Sequence, residues 1–176
     1  MLNSHSGVHS SNNKNIQGGE VQGSLSRDFA RQKTVKESIT CRGIGLHTGN
    51  PVTMTLHPAI ANTGIVFVRS DIGSDCYVHA SWENVTQTKL ATTISNDAGH
   101  HVTTVEHLMA GFGGCGIDNI LVEIDGPEVP VMDGSAKPFV TMIERAGLMV
   151  QTARRKAIVI RETIKVGNKK SFISLS

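Results

Sequence analysis

The stretch TTVEHLMAGFGGCGIDNILVEIDG, residues 103–126, reads as a helix followed by a strand and decides the fold class. Its apolar residues Val105, Leu108, Met109 and Phe112 are spaced i, i+3, i+4 and i+7, so they would form one apolar stripe along a helix. The glycine-rich GFGGCG predicts the end of this helix, and IDNILVEIDG has the composition of a strand. A second helix is predicted in SAKPFVTMIERAG, residues 135–147, with Ser135 as its N-cap and Gly147 just past its end.

Strand-like segments precede this helix. They are TVKESIT (34–40), VTMTLHP (52–58), TGIVFVRS (63–70) and TKLATTIS (88–95). Val52, Met54 and Leu56 alternate with polar residues, which is the period of a half-buried strand. CRGIGLHTGN and NDAGHH read as turns, and the helix is expected directly after NDAGHH. We therefore predict an α+β fold, in which a mainly antiparallel sheet is layered with two helices.

Composition excludes several classes of protein. The chain has 176 residues and a formal charge of +2, which gives little support for nucleic-acid binding. Its first residues lack the apolar core of a secretory signal, and no apolar run is long enough to span a bilayer. The three cysteines are widely spaced without a CxxC pair, which is typical of a reducing compartment. These features predict a soluble cytoplasmic protein.

The chain divides into three regions by composition. Residues 1–32 are rich in Ser, Asn, Gly and Gln, so we predict a disordered tail that is dispensable for stability. Residues 33–150 carry the predicted strands and helices and form the first domain. QTARRK, at the start of residues 151–176, reads as a linker, and AIVIRETIKVG and SFISLS read as two strands. Because two strands are marginal alone, we expect them to be the truncated start of a second domain.

Glu106 and His107 have two possible interpretations. Thr103 and Glu106 fit the capping box T-x-x-E, in which case His107 is an ordinary surface histidine. Alternatively, His107 is a zinc ligand and Glu106 is the base that takes a proton from water beside the metal. The sequence lacks HExxH, so the other ligands would have to come from elsewhere. Spacing alone favours the capping box.

Other candidate residues lie in loops. GIGLHTG, residues 43–49, reads as a tight turn, and its His47 could orient a substrate; it lacks the pattern of a phosphate-binding loop. Asp133 and Gly134 predict a turn that leads into the second helix. His100 and His101 could form a local metal site with His107, which would make the chain a complete small metalloprotein.

Taken together, these motifs are far more specific than any one of them. GIGLHTG, TTVEHLMA, GIDNILVEIDGPEVPVMDGSAKPF and KAIVIRETIKV occur in this order and spacing. They resemble the N-terminal domain and the start of the second domain of UDP-3-O-acyl-N-acetylglucosamine deacetylases, the zinc amidohydrolases of lipid A synthesis in Gram-negative bacteria. The resemblance covers residues 33–176. It implies zinc-dependent hydrolysis of the N-acetyl group of that substrate, with release of acetate.

The resemblance also implies roles for individual residues. Glu106 matches the general base and His107 matches one of three protein ligands of zinc, which reverses the preference drawn from spacing. His47 matches a histidine near the site, with a secondary role. Leu90, Ala91 and Thr92 match the stretch that lines the entrance for metal and substrate. Asp133 matches an acidic residue that supports the cleft.

The family's remaining zinc ligands lie in its second domain. A histidine and an aspartate on one helix there complete the metal site, and another histidine there acts as electrophile or general acid. The resemblance therefore implies that residues 1–176 hold an incomplete, inactive front part of the enzyme. The alternative is a catalytically inactive interaction or regulatory module with the same fold, which would bind no zinc and would capture a partner.

Overall fold

The computed structural model describes residues 30–73, 76–156, 158–168 and 170–176. The strands are β1 (Arg31–Val35), β2 (Ile39–Ile44), β3 (Pro51–Pro58), β4 (Ile65–Arg69), β5 (Tyr77–His79), β6 (Val85–Gln87), β7 (Thr93–Ser95), β8 (His101–Thr103), β9 (Ile120–Ile124), β10 (Leu148–Arg154), β11 (Ile164–Gly167) and β12 (Phe172–Leu175). The helices are α1 (Glu106–Cys115) and α2 (Lys137–Ala146), with a short 3₁₀ turn at Trp82–Asn84. The tail predicted at the N-terminus falls mostly outside the described residues.

A five-stranded sheet forms the main layer of the fold. Its strand order is β2-β3-β9-β4-β5, and all neighbours are antiparallel except β4 and β9. Val52, Met54 and Leu56 on β3 are buried, as their alternation predicts. This sheet presents one apolar face to the helices.

Both helices pack their apolar stripes into the same core as the sheet. Leu108 and Phe112 of α1 are fully buried together with Phe139 and Ile143 of α2. A Cβ atom at Gly111 would lie 3.2 Å from the Cβ atom of Phe139, so the two helices approach closely at this glycine. The predicted α+β architecture is confirmed.

The segment before α1 is more elaborate than the sequence predicts. Only the end of TKLATTIS forms a strand, β7. Leu90 has a positive φ of 73°, which is incompatible with extended strand backbone, so the residues before β7 form a loop. The helix does not begin directly after NDAGHH, because β8 starts at the last residue of this stretch, His101, and separates the turn from the helix. β6, β7 and β8 form a separate antiparallel sheet, in which buried Ile94 and Val102 pair.

Two other predicted segments have different boundaries. TVKESIT is not one strand: β1 ends at Val35, and β2 begins at Ile39 after a bend. β1 pairs with β10, which includes Gln151–Arg154. The interpretation of QTARRK as a linker is therefore wrong for its first part, because these residues continue β10 and Arg154 pairs with Arg31 of the N-terminal strand.

The predicted end of the tail after residue 32 falls inside β1. Gln32 is only 7% exposed, and its side-chain amide donates to Asn62 Oδ1 at 2.9 Å. Its Oε1 accepts hydrogen bonds from the backbone N–H of Asn62 and from Asn119 Nδ2. Gln32 therefore belongs to the folded domain.

Two truncations should separate the tail from the domain. Deleting residues 1–29 should leave the melting temperature unchanged, because their composition offers little apolar surface to bury. Deleting residues 1–32 removes the Gln32 hydrogen bonds and should cost at least ~1 kcal/mol, which lowers the melting temperature by roughly 2–8 °C. Thermal unfolding followed by circular dichroism measures both. Equal melting temperatures for the two truncations would contradict a structural role for Gln32.

The C-terminal strands form a hairpin of their own. β11 and β12 pair antiparallel, and every residue of both strands is exposed. Residues 158–163 of the predicted run AIVIRETIKVG are not in a strand. The assignment of this region to a second domain stays a prediction. Within the described ranges, no helix has the length and apolar character needed to cross a membrane.

Candidate active site

Glu106 is the first residue of α1 and does not form the predicted capping box. Val105 occupies the cap position and makes no side-chain cap, and Thr103 lies in β8. The Oε1 atom of Glu106 instead accepts a hydrogen bond from the backbone N–H of Thr92. The capping-box interpretation is wrong, because β8 keeps Thr103 in extended backbone and the carboxylate turns toward the 88–92 loop.

The surroundings of Glu106 keep its carboxyl group ionised. Partial burial raises the pKa, but hydrogen bonds from its own backbone N–H and from Thr92, with the nearby His107, outweigh this effect. The pKa of Glu106 therefore lies below its ordinary value of 4.5. Its place in the first turn of α1 adds to this, because a helix N-terminus favours negative charge. At neutral pH this side chain is a carboxylate that can accept a proton.

The His107 ring is held by two contacts. Its Nε2 atom lies 3.1 Å from the carbonyl oxygen of Pro130, and its ring meets Phe139 edge to face at a centroid distance of 5.0 Å. A carbonyl oxygen only accepts hydrogen bonds, so Nε2 carries the hydrogen in this contact. In a neutral imidazole with this contact, the other ring nitrogen has the lone pair that a metal ion requires.

A cavity of about 210 Å³ brings most of the predicted site residues together. Its lining comprises Leu46, His47, Leu90, Ala91, Thr104, Glu106, His107, Val131 and Gly134. Leu90 is 87% exposed at this cavity, and Thr92 borders it through its bond to Glu106. The sequence motifs at residues 43–49, 88–92 and 106–107 thus converge on one pocket, although the roles assigned to their side chains stay predictions.

Asp133 lies on an exposed turn next to this cavity and is not part of its lining. It accepts hydrogen bonds from the backbone N–H and hydroxyl of Ser135, and these hold its pKa below the ordinary value. Ala136, not Ser135, occupies the cap position of α2, while the Ser135 hydroxyl accepts from Lys137 N–H at 3.2 Å. Gly147 ends α2 as predicted. Asp133 shapes the turn that leads into the helix.

A second cavity also has Glu106 in its lining, together with Thr92. It measures about 260 Å³ and is mainly apolar. Its lining comprises Ala80, Ser81, Trp82, Val85, Thr92, Ile94, Val105, Glu106 and Met109. The sequence alone did not predict this cavity, since its walls combine the segment around the 3₁₀ turn, the small sheet (Val85 and Ile94) and the start of α1.

The comparison with known proteins agrees with this arrangement. Residues 32–176 match the family described as UDP-3-O-acyl N-acetylglycosamine deacetylase. The chain belongs to this family. It is 48% identical over 136 residues to a UDP-3-O-acyl-N-acetylglucosamine deacetylase of Actinobacillus pleuropneumoniae serotype 3 (strain JL03), a match that covers 77% of this chain and 44% of the relative.

Two further relatives carry the same name. Those of Haemophilus influenzae (strain 86-028NP) and Pasteurella multocida (strain Pm70) are 47% and 45% identical over 136 residues. Each match covers 77% of this chain and 45% of the relative. The chain thus spans less than half the length of these deacetylases.

Glu128 is a residue of this deacetylase-family chain that the sequence did not single out. Its side chain is 1% exposed, yet it carries a carboxylate. It accepts hydrogen bonds from the backbone N–H groups of His47 and Thr48, at 3.0 and 2.8 Å, and from the Thr104 hydroxyl at 2.8 Å. The only sequence signal is an acidic residue within the otherwise apolar PEVPV.

The residues present fit a shared zinc site and not a complete one. His107 offers one imidazole nitrogen beside an ionised Glu106, which suits one ligand and one base. In the described part of the chain, no group of three or more His, Cys, Asp or Glu side chains could hold a metal ion. A catalytic zinc site needs three protein ligands, so others would have to come from outside these residues.

The local three-histidine site is wrong for the same reason. His101 lies in β8, where its carbonyl oxygen accepts a hydrogen bond from buried Arg69. His100 is held in the preceding turn by Asn96. These contacts fix both residues in backbone structure away from a common centre with His107, and the described residues offer no three-ligand group.

Proposed function

We propose that the protein containing this chain hydrolyses the N-acetyl group of UDP-3-O-acyl-N-acetylglucosamine with zinc as its cofactor. The reaction releases acetate and belongs to lipid A biosynthesis in the cytoplasm of a Gram-negative bacterium. The observation that carries this proposal is the ionised Glu106 beside His107 in one cavity, in a chain of the deacetylase family. The names of the relatives supply the substrate.

Glu106 acts as the general base of this reaction. Its carboxylate is held through Oε1 by the Thr92 N–H, which aims it at the cavity shared with His107. It accepts the proton of a water molecule as that water attacks the acetamide carbonyl carbon. The depressed pKa of Glu106 means that this base stays free of a proton across the neutral range.

His107 would hold the zinc ion together with ligands outside this chain. A zinc ion bound there would supply Lewis-acid activation of the attacking water and of the acetamide carbonyl. The Pro130 carbonyl oxygen keeps the His107 ring oriented, as outer partners commonly do for metal-binding histidines. His47, Leu90 and Ala91 also line this cavity, where they contact the substrate or support the site.

Histidine substitutions provide the test, in a version of the protein that also contains the second half found in its relatives. His107→Ala should lose bound zinc and acetate release together, because it removes a metal ligand. His100→Ala and His101→Ala are matched controls that should leave both unchanged. Zinc is measured by elemental analysis and acetate release by a coupled assay. Full zinc content and turnover in His107→Ala would contradict the proposal. So would an unsubstituted protein that shows no turnover but binds a partner, since this is the result expected of an inactive interaction module.

A further inference from the structure

Buried Glu128 joins two parts of the site that are far apart in the sequence. One of its partners is the turn that carries His47, and the other is Thr104, two residues before Glu106. His47, Thr104 and Glu106 all line the same cavity. The Glu128 carboxylate therefore lies directly behind the wall of the candidate active site.

The turn at residues 45–49 is built around this carboxylate. A Cβ atom added to Gly45 would overlap the Glu128 carboxylate and the Thr48 hydroxyl, so only glycine allows this approach. The backbone N–H groups of His47 and Thr48 both point at the carboxylate. Two N–H groups converging on one buried carboxylate fix the position of the turn and thereby the position of His47.

Thr104 links the same carboxylate to the start of α1. Its φ of 59° lies in the left-handed region, which is costly for a β-branched residue and must be held by its surroundings. The Thr104 hydroxyl donates to Glu128 Oε1 at 2.8 Å, and Thr104 itself is buried. This conformation sets the direction in which the chain enters α1, where Glu106 and His107 follow.

Backbone hydrogen bonds also connect the segment that carries Glu128 to the residue before Thr104 and to the end of β2, just before the His47 turn. Thr103 N–H donates to the Pro127 carbonyl oxygen, and Val129 N–H donates back to Thr103. Two residues later, Val131 N–H donates to the Ile44 carbonyl oxygen at the end of β2. Glu128 is thus held rigidly between the elements that its carboxylate connects.

We propose that Glu128 is a positioning residue, whose buried carboxylate fixes the His47 turn against Glu106 and His107 in the geometry that the deacetylation requires. This inference rests on the proposed function. Burial would raise the pKa of Glu128, but the donors from His47, Thr48 and Thr104 lower it below its ordinary value. The carboxylate form that accepts these bonds is therefore the form present at neutral pH.

Substituting Glu128→Gln tests the proposal, because the amide keeps the shape but gives up one acceptor oxygen. In the 176-residue chain, the His47 and Thr48 amides should exchange their hydrogens at least ~10-fold faster, the equivalent of one lost hydrogen bond. In the protein with both halves, kcat should fall by ~10- to 10²-fold with KM and zinc content nearly unchanged. Glu123→Gln removes an exposed carboxylate on β9 and should change none of these quantities.

Each result decides between the two proposals. An unsubstituted protein without turnover contradicts the proposed function, and the exchange rates then still show whether Glu128 holds the His47 turn. An active protein in which Glu128→Gln lowers the melting temperature but keeps kcat contradicts the positioning role, since Glu128 would then be purely structural. If Glu128→Gln does not fold, Thr104→Val removes one bond of the same carboxylate, with Thr104→Ser as its control. Equal kcat in these two variants would also overturn the proposal.

Discussion

Replacing Glu106 by glutamine is expected to lower the turnover of the two-half protein by ~10² to 10⁴-fold, the usual cost of losing a general base. Glutamine keeps the size of the side chain and its Oε1 can still accept the bond from Thr92 N–H. It cannot take a proton from water. Zinc should remain bound, because His107 and its contact with Pro130 are untouched. Steady-state kinetics and elemental analysis of the same preparation measure both quantities.

Glu83→Gln is the matched control for this substitution. Glu83 is an exposed glutamate in the nearby 3₁₀ turn, and its carboxylate accepts a bond from the Ser81 hydroxyl. It should keep normal turnover. Near-normal turnover in Glu106→Gln would contradict the assignment of Glu106 as the base and would leave its bond to the Thr92 loop as its only role.

The sequence predicted those elements whose residues repeat with a clear period. The alternation of Val52, Met54 and Leu56 predicted β3, and the apolar stripe through Leu108 and Phe112 predicted α1. Both patterns arise because a single face of the element is buried, which spaces the apolar residues at the period of a strand or a helix. Strand β10 was missed because all of its residues are exposed or half-buried, so no apolar alternation marks it. Its partner β1 lies more than 100 residues earlier, a pairing that no local pattern reveals.

For the site as well, the sequence predicted residues within local motifs but not the contacts between residues that are far apart in the chain. The sequence motifs supplied Glu106, His107, His47, Leu90 and Ala91, and the structure places all of them around one cavity. The capping-box interpretation failed because local spacing cannot show that Thr103 is committed to β8. Glu128 was missed because its importance lies in its partners, which are 24 to 81 residues away in the chain.

The 176-residue chain by itself is expected to show no deacetylase turnover and to bind zinc only weakly. The described residues contain no group of three metal-binding side chains, and of the residues around Glu106 only His107 is proposed as a ligand. A complete structural zinc site is worth roughly 10 to 16 kcal/mol, and a single imidazole contributes a small part of that. Weak binding should therefore be lost on dialysis, whereas a complete site would retain stoichiometric metal.

The measurement is elemental analysis of the purified, dialysed chain, followed by the deacetylation assay with and without a separately expressed second half. Turnover should appear only when the second half is added, because the missing ligands and the group that protonates the leaving amine are proposed to lie there. The exposed β11–β12 hairpin gives a second, independent readout: its amides should exchange rapidly in the chain alone and slow down on addition. Stoichiometric tight zinc or turnover by the chain alone would show that residues 1–176 hold the whole site, and would refute the assignment of the other ligands to a second domain.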